Sequence, residues 1–270
     1  MKKISILGGG WLGLALAKNF KNEYEVLISS RTIEKIEFYE KENLKAFVFN
    51  ETNLDNLDNL LDVNYLFINF PPSKFDDYVG FLSKIYENPK IKNIEKIIFI
   101  SSTSIYPNED GIFIEDIKIT NSVSKKVFDA EELVKNKSDV IFRCAGLMGD
   151  TRVAGKYFSG KEIDSGKVRV NHIHRDDIIE ATKFVIKNDI SGIFNLCAKE
   201  HPTRKELYDF TCEKFGFEKP IYIKDEKYKN RIIDGSKIET LGFEYKYPNP
   251  LTFQFVLKAL SPASPRPGLI

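Results

Sequence analysis

The chain has 270 residues, enough for one α/β domain with a smaller appendage and for a core that needs no disulfide or metal staple. Its 40 Lys and Arg nearly cancel its 39 Asp and Glu, which excludes the whole-molecule field that draws nucleic acid or anionic membrane and favours a small-molecule partner. Cys144, Cys197 and Cys212 lack CxxC or metal-ligand spacing and read as reduced packing residues of a cytoplasmic protein.

Residues 3–7 read as a buried strand, and Gly8-Gly9-Gly10-Trp11-Leu12-Gly13 turns it directly into a helix over 12–20. Lys2 and Lys3 do not open a signal peptide, because the apolar stretch behind them is broken by glycines and becomes amphipathic. No run reaches membrane-spanning length. A GxGxxG alone is weak evidence, since glycine clusters also make ordinary turns. Preceded by a strand and continued by Leu14, Leu16, Ala17 and Phe20, it marks a dinucleotide diphosphate site. Gly8 permits the tight turn, Gly10 lets the backbone approach the diphosphate, and Gly13 lets the helix pack on the strand. The free N–H groups of the first turn, at Trp11 and Leu12, then hold the anion without a lysine.

Further short apolar strands are expected at 25–29, 45–49, 65–69, 96–101 and 140–144, with helical periods at 33–42, 54–61, 75–86 and 124–135. That alternation predicts an α/β fold: a Rossmann-type doubly wound parallel sheet whose ligand lies beyond the carboxyl ends of the strands. Residues 1–146 are expected to form the dinucleotide-binding domain, and 147–260 to complete the sheet and build a smaller C-terminal α/β substrate lobe. In that second part strands are expected at 167–174, 192–197, 221–223 and 231–234, and helices at 177–186, 203–215 and 251–260. Thr203 and Glu206 form a capping box for the middle helix. The Pro- and Ser-rich tail, 261–270, is expected to be disordered.

The strand ends carry the candidate chemistry. The second strand ends in Ser29-Ser30-Arg31, where an NAD-specific site would place a carboxylate for the ribose 2′-hydroxyl. Ser30 and the Arg31 guanidinium suit a 2′-phosphate instead, so NADP is favoured and NAD is the other candidate. The plainer alternative makes Arg31 a solvated loop residue before the Thr32 cap. The fourth strand runs into Asn69-Phe70-Pro71-Pro72, a stiff wall for the ribose and nicotinamide half, or simply a strand stop. The fifth delivers Ser101-Ser102-Thr103-Ser104-Ile105-Tyr106-Pro107. Ser101 is assigned to the cofactor, and Ser102, Thr103 and Tyr106 are the candidates to engage a substrate carbonyl, against ordinary serine turn chemistry. His172 and His174 share a strand face but lack a third ligand nearby, so no metal site is expected.

The glycine motif, SSTSIYP, RCAGLMG and VNHIHRDDI together resemble the extended short-chain dehydrogenase/reductases, the group of NAD(P)-dependent epimerases and dehydratases, over nearly the whole chain. The resemblance implies an NAD(P)-binding oxidoreductase or epimerase/dehydratase-like protein acting on a small carbonyl or sugar-nucleotide substrate. It also implies that Ser102, with Thr103 beside it, holds the place of the hydroxyl that orients the substrate oxygen. The family's YxxxK pair is missing. Matched through Ala130-Glu131, Val123 and Val127 stand where Tyr and Lys would, and Lys125 and Lys126 fall on other faces of the helix. Valine neither donates nor accepts a proton, so the chain resembles atypical members, and the competing expectation is a non-catalytic NADP(H)-binding sensor or regulatory protein.

Overall fold

The computed structural model describes residues 1–163, 165–223 and 228–256. Seven strands form one sheet: β1 (Lys3–Leu7), β2 (Glu25–Ser30), β3 (Lys45–Val48), β4 (Tyr65–Ile68), β5 (Lys96–Ser102), β6 (Val140–Cys144) and β7 (Gly192–Leu196). Their order is β3-β2-β1-β4-β5-β6-β7 with every pairing parallel. The chain thus starts at the centre, winds out to β3, returns to β4 and winds out the other way. The reversal between β1 and β4 opens a crevice beyond their carboxyl ends, where such sheets bind ligands.

Eight α-helices accompany the strands among the described residues: α1 (Trp11–Phe20), α2 (Ile36–Lys41), α3 (Leu57–Leu60), α4 (Tyr78–Tyr86), α5 (Lys125–Val134), α6 (Ala154–Phe158), α7 (Arg175–Lys187) and α8 (Arg204–Phe215). Alternation along each strand sorts the core into two layers. Ile4, Ile6, Ile28, Ile98 and Phe142 pack with Leu16 and Phe20 of α1 and with Ile178 and Val185 of α7. Leu66, Ile68, Ile97, Phe99 and Ile141 pack the opposite face with Phe81 and Ile85 of α4 and Val134 of α5. Each fully buried side chain of this kind contributes roughly 1.5–3 kcal/mol, so these layers fix the strand ends that face the crevice. A third, smaller cluster joins Ala154 of α6, Leu207 and Tyr208 of α8, Met148, Tyr247 and Phe253.

Several expected elements come out differently. Helix α4 starts at Tyr78 because Pro72–Lys74 takes a 3-10 turn and Asp77 caps the helix, its side chain accepting from Gly80 N at 2.8 Å. The strand expected at 167–174 is reduced to His172–His174, since among the described residues its only parallel neighbour is the three-residue stretch Gly146–Met148. Of the helix expected at 251–260, residues 251–256 are described, and they make the end of one 3-10 turn, Pro250–Thr252, and then extend. There Phe253 is fully buried, with its ring 5.2 Å from that of His174, and this packing wins over helical periodicity. Residues 257–270, which include the tail expected to be disordered, lie outside the described residues. Helix α8 carries the expected capping box between Thr203 and Glu206 and ends at Gly216 in the left-handed region, φ 70°. All three cysteines are free and buried. No described helix is long and apolar enough to cross a membrane.

Candidate functional site

A cleft of about 1000 Å³ lies over the carboxyl ends of β1, β2, β4, β5 and β6, at the upper end of the range for small-molecule sites. The glycine turn lies at the end of β1. Gly8 has φ +99°, and a Cβ there would overlap the Asn69 carbonyl. Gly13 does not line the cleft; a Cβ on it would overlap the Gly8 carbonyl, which is how α1 comes close to the end of β1. Gly8 N–H donates to Ser29 Oγ at 3.0 Å and Gly9 N–H to the Ser29 carbonyl at 2.8 Å, which ties the turn to β2. Gly10 differs from its neighbours: a Cβ built on it meets nothing within 4 Å. No side chain caps α1, and the N–H groups of Gly10, Trp11 and Leu12 have no partner among the described residues. Unpaired donors at the positive end of a helix dipole, under open space, are suited to an anion.

At the β2 end, Arg31 is held rather than loose. Its guanidinium donates from Nη2 to Glu51 Oε1 and from Nη1 to the Lys74 carbonyl, both at 2.6 Å, and lies over the Phe75 ring at 4.6 Å. These bonds use two of its five N–H groups, and Lys35 and Lys74 line the same part of the cleft. Ser30 is buried, and its Oγ accepts from Thr32 N at 3.2 Å. Glu51 is a cleft residue the sequence reading missed. The motif places a carboxylate at the end of β2, whereas Glu51 follows β3, brought alongside by the pairing of Ser30 with Val48.

At the other end, Asn69, Phe70 and Pro71 form one wall, and Ser101, Ser102, Thr103 and Ser104 the facing edge. Ser101 Oγ donates to Glu131 Oε2 at 2.6 Å, so toward a ligand it can only accept. Ser102 Oγ accepts from Ser104 N at 3.2 Å, which orients the hydroxyl and leaves its own proton to donate. Beneath the floor runs a buried polar network. Arg143 donates from Nε to Glu131 Oε1 at 2.9 Å and from Nη1 to Tyr106 Oη at 2.8 Å, and Tyr106 Oη donates to Asn195 Oδ1 at 2.8 Å. Burial opposes the Arg143 charge, but the Glu131 carboxylate outweighs it and holds the guanidinium pKa above its ordinary value. Glu115 Oε1 accepts from Asn195 N at 2.6 Å, and burial pushes that carboxyl up.

Tyr106 is a member of this network. It is 0% exposed, does not line the cleft, and its hydroxyl is already committed, so the structure does not bring it to Ser102 and Thr103 as a substrate-facing group. The two histidines are likewise engaged away from the cleft. His172 Nδ1 bonds the Gly146 carbonyl at 3.1 Å, while His174 Nε2 bonds the Gln254 carbonyl at 3.1 Å beside the Tyr247 ring. Two cleft arginines, Arg152 and Arg231, have no carboxylate partner among the described residues, and neither was singled out from the sequence. Nothing in their local sequence separates them from the many solvated cations of the chain.

No family model matches the chain. The epimerase family protein SA0724 of Staphylococcus aureus strain N315 is 26% identical over 170 residues, covering 56% of each chain. Among solved structures, the UDP-glucuronic acid 4-epimerase of Bacillus cereus in complex with NAD superimposes with a TM-score of 0.75 at 18% identity, covering 93% of this chain and 97% of that one. Protein YeeZ of Escherichia coli strain K12 is 33% identical over 269 residues, covering 93% of this chain and 98% of that protein. The chain belongs to the epimerase/dehydratase-like family of extended short-chain dehydrogenase/reductases. In this epimerase/dehydratase-like chain the positions matched to the family's Tyr and Lys differ in surroundings: Val123 is 56% exposed, and Val127 is buried and lines the cleft. The neighbouring amines point elsewhere, Lys126 Nζ to the Phe75 carbonyl at 2.8 Å and Lys125 Nζ to Asp129 Oδ2 at 2.6 Å.

Proposed function

We propose that the cleft binds a nicotinamide adenine dinucleotide, with NADP favoured over NAD, and that the protein is an oxidoreductase or epimerase/dehydratase-like enzyme acting on a small carbonyl or sugar-nucleotide substrate. The observation that carries this reading is the row of unpartnered amides at Gly10, Trp11 and Leu12 beneath open space. Ser30 and the three unused N–H groups of Arg31, with Lys35 and Lys74 nearby, support a 2′-phosphate. Asn69, Phe70 and Pro71 would hold the extended middle of the coenzyme, and Ser101 would accept from it. Residues 1–146 would carry the coenzyme, while the segment 147–260 would cover the substrate end. The coenzyme, when bound, supplies a hydride donor or acceptor. Ser102 donates a hydrogen bond to the substrate oxygen, and Thr103 supports it from the adjacent position.

A second reading, a non-catalytic NADP(H) sensor, has its own support. The tyrosines that line the cleft give their protons to main-chain carbonyls, Tyr39 to Gly9 and Tyr78 to Phe70, the latter at 3.3 Å. Neither of these cleft tyrosines is therefore free to act as a lysine-paired phenol. Calorimetric titration with NADPH and NADH tests the coenzyme, with binding of both expected and NADPH the tighter. Arg31→Ala should bring the two affinities together, a change of about tenfold or ~1.4 kcal/mol; an unchanged ratio sinks the phosphate assignment. Incubation with each coenzyme, oxidised and reduced, and a panel of aldehydes and sugar nucleotides then separates the readings: a net oxidoreductase changes the absorbance, an epimerase or dehydratase regenerates its coenzyme and is read from the altered sugar, and binding with neither change favours the sensor.

A further inference from the structure

Arg152 follows the short strand Gly146–Met148 and reaches into the cleft from the side opposite β2. Its guanidinium lies over the Trp11 indole at 4.2 Å, and Arg175 lies over the same ring at 5.0 Å. The two cations differ in what balances them. Arg175 Nη1 pairs with Asp150 Oδ2 at 2.8 Å, whereas the Arg152 guanidinium makes neither an ion pair nor a hydrogen bond among the described residues. Burial, with Arg175 adding to it, pulls the Arg152 pKa below its ordinary value. A half-buried guanidinium next to another cation and lacking a counter-anion is costly unless a ligand supplies one. Its shelf, Trp11, is the first residue of α1 and belongs to the unpartnered amide row. The Trp11 Nε1 is also buried without a partner.

We propose that Arg152, shelved on Trp11, is the counter-charge of the dinucleotide's diphosphate. It closes over the anion from the substrate side while the α1 amides hold it from below. The aromatic stack keeps the guanidinium oriented before the ligand arrives, which lowers the ordering cost of the clamp. Arg231, the other cleft arginine without a carboxylate partner among the described residues, donates from Nη1 to the Tyr106 and Pro107 carbonyls at 3.4 and 3.5 Å. It therefore belongs to the hydroxyl end rather than to this anion. The inference rests on the dinucleotide reading and adds to it a charged diphosphate ligand that the glycine turn itself does not require.

The probe is ADP-ribose, which carries the diphosphate without the nicotinamide, with adenosine as the uncharged control. Arg152→Gln should weaken ADP-ribose binding at least tenfold in calorimetry, flatten its salt dependence and leave adenosine unaffected. Arg152→Lys, which keeps the charge without the planar stack, should lose about threefold. The wild-type chain offers a readout that needs no variant, because Trp11 is its only tryptophan. Its emission should change on saturation with ADP-ribose and not with adenosine. ADP-ribose binding by Arg152→Gln within twofold of wild type overturns the clamp, as does an unchanged Trp11 emission. If Arg152→Gln binds ADP-ribose normally but raises KM for an anionic substrate, the arginine belongs to the substrate and the clamp is again overturned. Failure of the wild-type protein to bind ADP-ribose, NADH and NADPH is a different result, for it removes the dinucleotide reading as well.

Discussion

At the glycine-turn end of the cleft the groups facing open space are main-chain atoms of consecutive residues, Gly10 to Leu12, held in place by Gly8, Gly9 and Gly13, where a Cβ would overlap neighbouring atoms. At the hydroxyl end they are side chains, and they rest on a buried network gathered from Ser101, Tyr106, Glu131, Arg143 and Asn195. The first end is a local device whose geometry follows from a strand, a turn and a helix in sequence. The second depends on three adjacent strands, β5, β6 and β7, keeping register. Damage should spread differently from the two ends. Disturbing the network should cost stability first, whereas disturbing the open cleft groups should cost binding or turnover with the fold intact.

The largest expected effect is on the network. Glu131→Ala would leave Arg143 buried without its carboxylate and Ser101 without its acceptor. Removing one partner of a buried ion pair costs about 3–5 kcal/mol, readable as a lowered urea midpoint. A loss under about 1 kcal/mol would mean that water or Glu115 replaces the partner and that the network does not support the hydroxyl end. Next in size is a pH effect at the short strand beside the cleft. Burial pushes His172 from 6.5 down to about 4, so the unfolded chain takes up a proton that the folded chain refuses. Stability is therefore lost as pH falls from about 6.5 towards 4, by about 3 kcal/mol from this group alone. His172→Gln should remove that share of the acid sensitivity, checked by denaturation at pH 7 and pH 4.5. Asp177, raised to about 6 by burial, acts in the opposite direction, so the variant-to-wild-type difference is the quantity to read.

Ser102→Ala tests the separation of the ends directly. Turnover should fall about 100-fold, or ~2.7 kcal/mol, while coenzyme affinity stays within twofold. If coenzyme affinity fell together with turnover, the two ends would not be independent.

Much of the fold was legible because the strands are short, apolar and bounded by turn residues: β1 and β6 fall on the expected residues, and β2 to β5 differ by one at their carboxyl ends. Elements whose form depends on distant neighbours were not. The stretch 167–171 has a strand-like pattern but among the described residues meets only the single antiparallel bridge between Arg169 and Thr203, and the helical period after Pro250 yields to the burial of Phe253 against His174 and Tyr247. The same division runs through the site. Gly8, Gly10 and Arg31 could be found from their position after a strand. Glu51 and Arg152 reach the cleft only because β3 lies beside β2 and because the loop after β6 folds back onto Trp11. Pairings of this kind leave no periodic trace in one sequence.

The smallest effect is expected at Tyr106. Its sequence position beside the serine cluster suggested a hydroxyl facing substrate; its place in the fold is under the floor. Tyr106→Phe keeps the ring, which packs 5.5 Å from Phe113, and removes the oxygen shared by Arg143 and Asn195. Arg143 Nη1 retains the Glu115 carbonyl at 3.1 Å, so the charge is not stranded. The cost should be about 1–2 kcal/mol, the range for losing a buried hydrogen bond to a charged group when another acceptor remains. Turnover and coenzyme affinity should both stay within about twofold, because the phenol does not line the cleft and burial raises its pKa above the ordinary tyrosine value. A tenfold drop in kcat with an unchanged denaturation midpoint would instead make this tyrosine part of the chemistry, and would join the network under the floor to the reacting groups above it.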